Sequence, residues 1–405
     1  MAHQRGFRGL QSDDTNPQGG GAGGVAEFLA SLTLSTAMAR MREARWVDLL
    51  QWYRLCRCTL ERDRYCALLS IATDLDVAAH PELAPDYTTA DAELELKIGK
   101  FLIQQQPDGR ETLMRAGLVT QTQTSTDTDK DRPSWMQSFA QFRLDCDAHS
   151  EQTSMHNASM AAGPDSVFVA RSVPDWPDVI CVQGYKADDL LGVARQTDHK
   201  MKHEERVCDY ICSAFEMFSA RVTALKLPNV VDRECIEAMV TTMAADTWIP
   251  SHTRDMGVLV LGLFVVLVSR KGQFDGFPGW KTVLAGILQS AYGHDKVLTA
   301  DGRIAVSDEV TMHAFKSFFS HAFSPCIFGI KAAITREGSF ANVPPLSEPM
   351  DEIWIVSGCR LPVVLRKSAR REGMFRLVGV CYAHGVMDGS LLLREDFAFR
   401  DVLIC

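Results

Sequence analysis

Between Asp351 and Gly385 the chain carries three runs, "DEIWIVSG", "LPVVLR" and "MFRLVGVCYAHG", rich in β-branched and aromatic residues and bounded by turn formers. Residues of this kind suit a pleated, half-buried surface, so the runs predict strands of a small, mainly antiparallel β-unit over residues 346–405. Elsewhere the apolar residues mostly recur at spacings of three and four, the period of a helix. Trp46, Leu49, Leu50, Tyr53 and Cys56 form one such stripe, and Tyr65, Leu68, Leu69 and Ala72 a second. After the prolines of "HPELAPDYT" the pattern resumes in "ADAELELKIGKFLIQQQ". The expected class is therefore α+β, with helical N-terminal and central regions ahead of a C-terminal β-unit.

Residues 1–24 are polar and end in "GGGAGG", a composition expected to give a disordered tail. Residues 25–119 read as a helical region, 120–135 as a polar linker, and 136–197 as a short-strand region containing "DSVFVARSV" and "DVICVQGYKADDL". Residues 198–345 read as mainly helical. With 405 residues, 46% of them apolar, there is room for two or three domains with a real core. A net charge of −9 argues against an electrostatic footprint for nucleic acid. Twelve cysteines in a chain this long, behind a start without an apolar leader, predict reduced thiols and a cytoplasmic protein. The run "GVLVLGLFVVLVS" has 13 residues between charged pairs, too few to cross a bilayer. It reads as a buried helix or strand, and no transmembrane span is expected.

Candidate chemistry is sparse. His199, His203, Cys208 and Cys212 resemble a ligand set, but at about 100° per residue the two pairs face opposite sides of one helix. Cys56 and Cys58 are separated by one residue, short of zinc-finger spacing. No metal and no cofactor is therefore expected. The basic run "RKSARREG" lacks interleaved aromatics and reads as a solvated hairpin loop. The segment from His384 to Gly389 spells H-x-x-x-D-G, the signature of acyltransferases in which the histidine is the general base and the aspartate holds the loop. Strand alternation puts Phe375, Leu377, Gly379, Cys381 and Ala383 on one face and Val378, Val380, Tyr382 and His384 on the other. Cys381 and His384 then point apart unless a bulge intervenes. The alternative to catalysis is that Asp388-Gly389 makes a tight turn at a strand end.

Three stretches, in order, resemble the fungal heterokaryon-incompatibility (HET) domain proteins. "TLERDRYCALLSIATDL" followed by "APDYT" is similar to a segment found after the HET core, with Arg62, Asp63, Asp86 and Tyr87 among the matching residues. "RPSW" resembles the start of a second family segment. The C-terminal block resembles the family's terminal signature through Gly358, Pro362, Arg366, Gly379, Tyr382, His384, Gly385, Asp388 and Gly389. The HET core motifs themselves are absent, so the resemblance implies the accessory portion of such a protein, in truncated form. It also implies a role in self/non-self recognition and regulated cell death, as a modulator or remnant without its own catalysis. The implied partner is a full-length HET-domain protein or another cell-death component, with the signature residues serving structure. The competing expectation is a coenzyme-A-dependent acyltransferase using His384 and Asp388.

Overall fold

The computed structural model describes residues 44–53, 60, 62–104, 108–117, 132–137, 167–197, 201–224, 233–243, 253–271, 286–291, 308–327 and 329–405. The expected tail over residues 1–24, most of the linker over 120–135, Cys56, Cys58 and His199 lie outside them. The chain divides into two compact units, residues 1–97 and 98–405.

In the first unit, helices α1 (Trp46–Trp52) and α2 (Asp63–Leu69) follow the two apolar stripes. Trp46, Leu49 and Leu50 are buried, as are Tyr65, Leu68 and Leu69. The Trp46 amide donates to the Asp74 carboxylate at 2.8 Å, and Thr73 donates through its amide and hydroxyl to the Ala44 carbonyl, each at 3.1 Å. A single turn of 3₁₀ helix (Pro81–Leu83) precedes helix α3 (Asp91–Gln104), within which the division into units falls.

In the second unit the described residues include helices α4 (Asp108–Arg115), α5 (His203–Ala224), α6 (Arg233–Met243), α7 (Thr253–Lys271) and α8 (Asp308–Ile327) and nine strands. These are β1 (Arg171–Val173), β2 (Trp176–Val193), β3 (Lys331–Thr335), β4 (Phe340–Val343), β5 (Glu352–Val356), β6 (Val363–Lys367), β7 (Met374–Val380), β8 (Tyr382–Ala383) and β9 (Arg400–Ile404). The pairing closes on itself. Strand order runs β5-β6-β7-β9-β2, and β2 pairs back to β5 through Gly184–Asp189, which completes a five-stranded circuit. Only β7 and β9 run parallel within that circuit. A second circuit leaves β2 at Leu190–Val193, passes through β3, β4 and β8, and returns to β7 through Cys381 alone. Closure hides strand edges that would otherwise template pairing with another chain.

Most residues of β5, β6 and β7 are buried rather than alternating, because one face of these strands packs against β3 and β4 and the other carries a second set of apolar side chains. Ile353, Ile355, Val364 and Val378 pack with Leu190, Ala333, Ala341 and Val343 in one core. The opposite face carries Trp354, Val363, Leu365 and Leu377, also buried, with Trp354 edge-on to Phe375 at 5.4 Å. Strands β3 and β4 separate this core from a helical one. Ala332, Ile334 and Phe340 join α5 to α8, while Ala333, Ala341 and Val343 face the barrel. Buried Asn342 ties the layers, accepting from the Tyr210 hydroxyl at 2.9 Å and donating to the Thr242 carbonyl.

Several expectations are corrected here. The boundary at residue 346 does not delimit the β-unit, because β2, β3 and β4 lie before it and pair into it. Residues 331–343, expected in a mainly helical region, form a hairpin instead. "DVICVQGYKADDL" is part of a single 18-residue strand rather than a short one, bent where its register shifts at Lys186/Asp188 and Leu190/Gly192. Among the described residues of "DSVFVARSV", 167–173, only Arg171–Val173 are strand. Ser134 and Trp135, assigned to a polar linker, are buried.

The run "GVLVLGLFVVLVS" lies in α7, where Leu259, Val260, Leu261, Leu263 and Val266 are all buried. A helix that is apolar all round needs a partner on every side. Gly262 provides close approach to α8, since a Cβ there would stand 2.3 Å from the Ala314 carbonyl oxygen. No described helix is long and apolar enough to cross a membrane.

Candidate functional site

The signature residues gather in two places, one in each unit. In the first unit, α2 opens with Arg62 and Asp63, and the loop after the 3₁₀ turn supplies Asp86 and Tyr87. Arg62 pairs with Asp91 at 2.6 Å, donates to the Asp86 carbonyl at 3.3 Å and lies over the Tyr87 ring at 5.7 Å. Tyr87 donates to the Asp63 carboxylate at 3.0 Å. The Asp86 carboxylate accepts from the Thr88 amide and from the Thr88 and Thr89 hydroxyls at 2.5–2.8 Å. Those bonds favour its charged form and hold it well below the usual carboxylate range.

In the second unit, each remaining signature residue meets a specific constraint of the barrel. Gly358 follows β5 with φ 78°, and a Cβ there would meet the Phe168 amide nitrogen at 2.3 Å. The Pro362 carbonyl accepts from the Cys381 amide at 2.9 Å. Arg366 grips Asp351 with two bonds of 2.8 and 2.9 Å, and also donates to the Leu346 carbonyl at 2.6 Å. Asp351 is 2% exposed, so Arg366 is the counter-ion of a buried carboxylate. The planar fork of arginine suits that task.

Gly379 marks a bulge. Leu365 pairs with Leu377 and Val364 with Gly379, so two steps along β7 answer one along β6. The expected alternation is thereby corrected: Val378 shares a core with Cys381 and Ala383 instead of facing away from them. Cys381 is fully buried, its Sγ 3.6 Å from the Pro362 carbonyl, and burial pushes its thiol pKa up. A thiol held neutral in this way is a poor nucleophile.

Tyr382 is buried on β8 opposite Asn342. The His384 amide continues that pairing, donating to the Phe340 carbonyl at 2.9 Å. Gly385 and Gly389 then take positive φ, 78° and 77°. Between them Asp388 accepts from the Ser390 amide at 3.0 Å, an Asx turn that leads into the 3₁₀ helix Ser390–Leu393. Bonds from Ser390, with a smaller contribution from His384, hold the exposed Asp388 carboxyl below its ordinary range. His384 and Asp388 are thus near neighbours at the end of a short strand.

The remaining sequence candidates divide. Cys208 and Cys212 lie in the helical core. Among the described residues no three His, Cys, Asp or Glu side chains gather as metal ligands. "RPSW" acts as a staple. Ser134 donates through its amide and hydroxyl to the Cys405 carbonyl and accepts from the Leu377 amide at 2.7 Å, and the Trp135 indole donates to the Asp178 carbonyl at 2.9 Å. That role is invisible in sequence, because its partners lie more than 40 residues away.

Residues 294–400 match the family described as the Het-6 beta-barrel domain. The relation to heterokaryon-incompatibility proteins is thus carried by the C-terminal region. The match spans β3 to β8 and reaches the first residue of β9, whereas β2, which closes both circuits, lies outside it. No curated protein and no solved structure matches the chain.

Proposed function

With a Het-6 barrel at residues 294–400 as the premise, we propose that this chain acts in fungal heterokaryon incompatibility as a non-catalytic modulator of a full-length HET-domain protein. The observation that carries the reading is the family match in the barrel. It is supported by the placement of His384 and Asp388, whose described bonds extend the β4–β8 pairing and build a turn. In this reading the signature residues keep a rigid closed barrel, and the chain works by contact with its partner in the cytoplasm.

The test is expression of the chain in a filamentous fungus with and without a full-length HET-domain protein. The frequency of cell death changes only when the full-length protein is present. Death triggered by the chain alone, or no change in either background, overturns the proposal. Incubation with acyl-CoA and a panel of hydroxyl and thiol acceptors examines the competing chemistry, and turnover that disappears in His384→Ala assigns the chain to the acyltransferases instead.

A further inference from the structure

Leu190 is buried in the barrel core, yet the backbone on either side of it is irregular. Toward β3, Leu190 pairs with Thr335 and Gly192 with Ile334, so Leu191 is the extra residue of a bulge. On the other side a turn, Glu348-Pro349-Met350-Asp351, closes with the Asp351 amide on the Glu348 carbonyl at 3.2 Å. The Met350 amide then donates to the Leu190 carbonyl and the Leu190 amide to the Asp351 carbonyl, both at 2.8 Å. Met350 has φ 75°, where a turn and bulge of this kind normally carry glycine. Among the described residues it is the one non-glycine at positive φ.

Both irregularities end in an exposed apolar side chain, Leu191 at 51% and Met350 at 66%. A left-handed backbone costs a side-chain-bearing residue free energy that glycine is spared, and packing recovers little of it for a side chain this exposed. Strain held at an exposed apolar residue is explained when that side chain is used in contact. Given the modulator role proposed above, we infer that Leu191 and Met350 anchor the chain to its full-length HET-domain partner, which presents an apolar groove rimmed by lysine or arginine.

Charge around the anchors sets the partner's chemistry. Arg336, in the β3–β4 turn, reaches Met350 Sδ at 3.9 Å and Asp189 at 3.6 Å. Asp189 is also held by Lys186 at 2.7 Å, and Lys186 meets buried Glu352 at 3.2 Å. Glu348 pairs with Arg366 at 3.1 Å. These cations are therefore matched. Asp188 accepts from the Asp189 and Glu337 amides at 2.7 and 3.1 Å, and neither Asp188 nor exposed Glu337 has a cation among the described residues. The charge left uncompensated beside the anchors is negative, so the complementary surface is basic. A flexible thioether and a leucine, with no strong polar group to satisfy, suit an apolar groove at its centre.

Binding of the full chain to a purified full-length HET-domain protein is followed by surface plasmon resonance, with thermal unfolding of each variant. Met350→Gly removes the strain together with the side chain, so it is expected to melt no lower than the native chain while binding about tenfold more weakly. Leu191→Gln, at an exposed position, is expected to lose a similar factor. Glu337→Lys is expected to bind about threefold more weakly, in an interaction that added salt weakens. Native affinity in both Met350→Gly and Leu191→Gln overturns the inference and leaves the proposed function standing. Absence of binding by the native chain removes both. Self-association of the native chain that Met350→Gly abolishes gives the surface to a second copy and likewise overturns the inference.

Discussion

The two groups of signature residues hold their surroundings by different physics. Around α2, Arg62, Asp63, Asp86 and Tyr87 meet through side-chain charges and hydroxyls near solvent, with Tyr87 57% exposed. In the barrel, Gly358, Pro362, Arg366 and Gly379 answer to backbone crowding, strand closure and a buried carboxylate. Water can replace much of what a surface pair provides, whereas nothing replaces a missing counter-ion or absorbs an extra methyl group in a closed barrel. A residue-type resemblance therefore conceals a large difference in tolerance to change.

Arg366→Met strains that comparison most. It strands the Asp351 carboxylate, which is 2% exposed, and the expected loss is about 3 kcal/mol or more in urea unfolding. A loss under about 1 kcal/mol would place this pair with ordinary surface ion pairs. Gly358→Ala comes next. Its Cβ would collide with the Phe168 backbone at a positive φ, for an expected cost of about 2–3 kcal/mol. Tyr87→Phe removes one exposed bond to Asp63 and is expected to lower the melting temperature by less than either barrel variant.

The smallest effect is a dependence on pH. Because the Asp86 carboxyl titrates below its unfolded value, its contribution is present above about pH 4 and fades as pH falls toward the folded value. The difference in melting temperature between the native chain and Asp86→Asn should accordingly be open at pH 6 and close on acidification. A gap that stays constant over that range would show that the Thr88 and Thr89 bonds do not favour the charged form.

The legible parts of the fold were local. The three C-terminal runs form β5, β6 and β7, because each carries its own β-branched pattern, and Leu259, Val260, Leu261, Leu263 and Val266 of the apolar run are buried as its composition requires. Strands β3 and β4 escaped because Ala332, Ala333, Ala341 and Asn342 have little strand preference; small residues there let helices and barrel approach from opposite sides. Circuit closure through β2 is non-local, and no window of sequence contains it. The bulge did leave a trace, since Gly379 inside a strand pattern is the usual mark of one.

Under the proposed function, the barrel's H-x-x-x-D-G residues serve architecture and not chemistry, so replacing His384 leaves the effect of the chain intact. The most direct test is co-expression of His384→Ala with a full-length HET-domain protein, alongside the native chain, after circular dichroism and thermal unfolding establish that the variant is folded. The account predicts the same change in cell-death frequency for both chains. A folded His384→Ala chain that has lost the effect would contradict it.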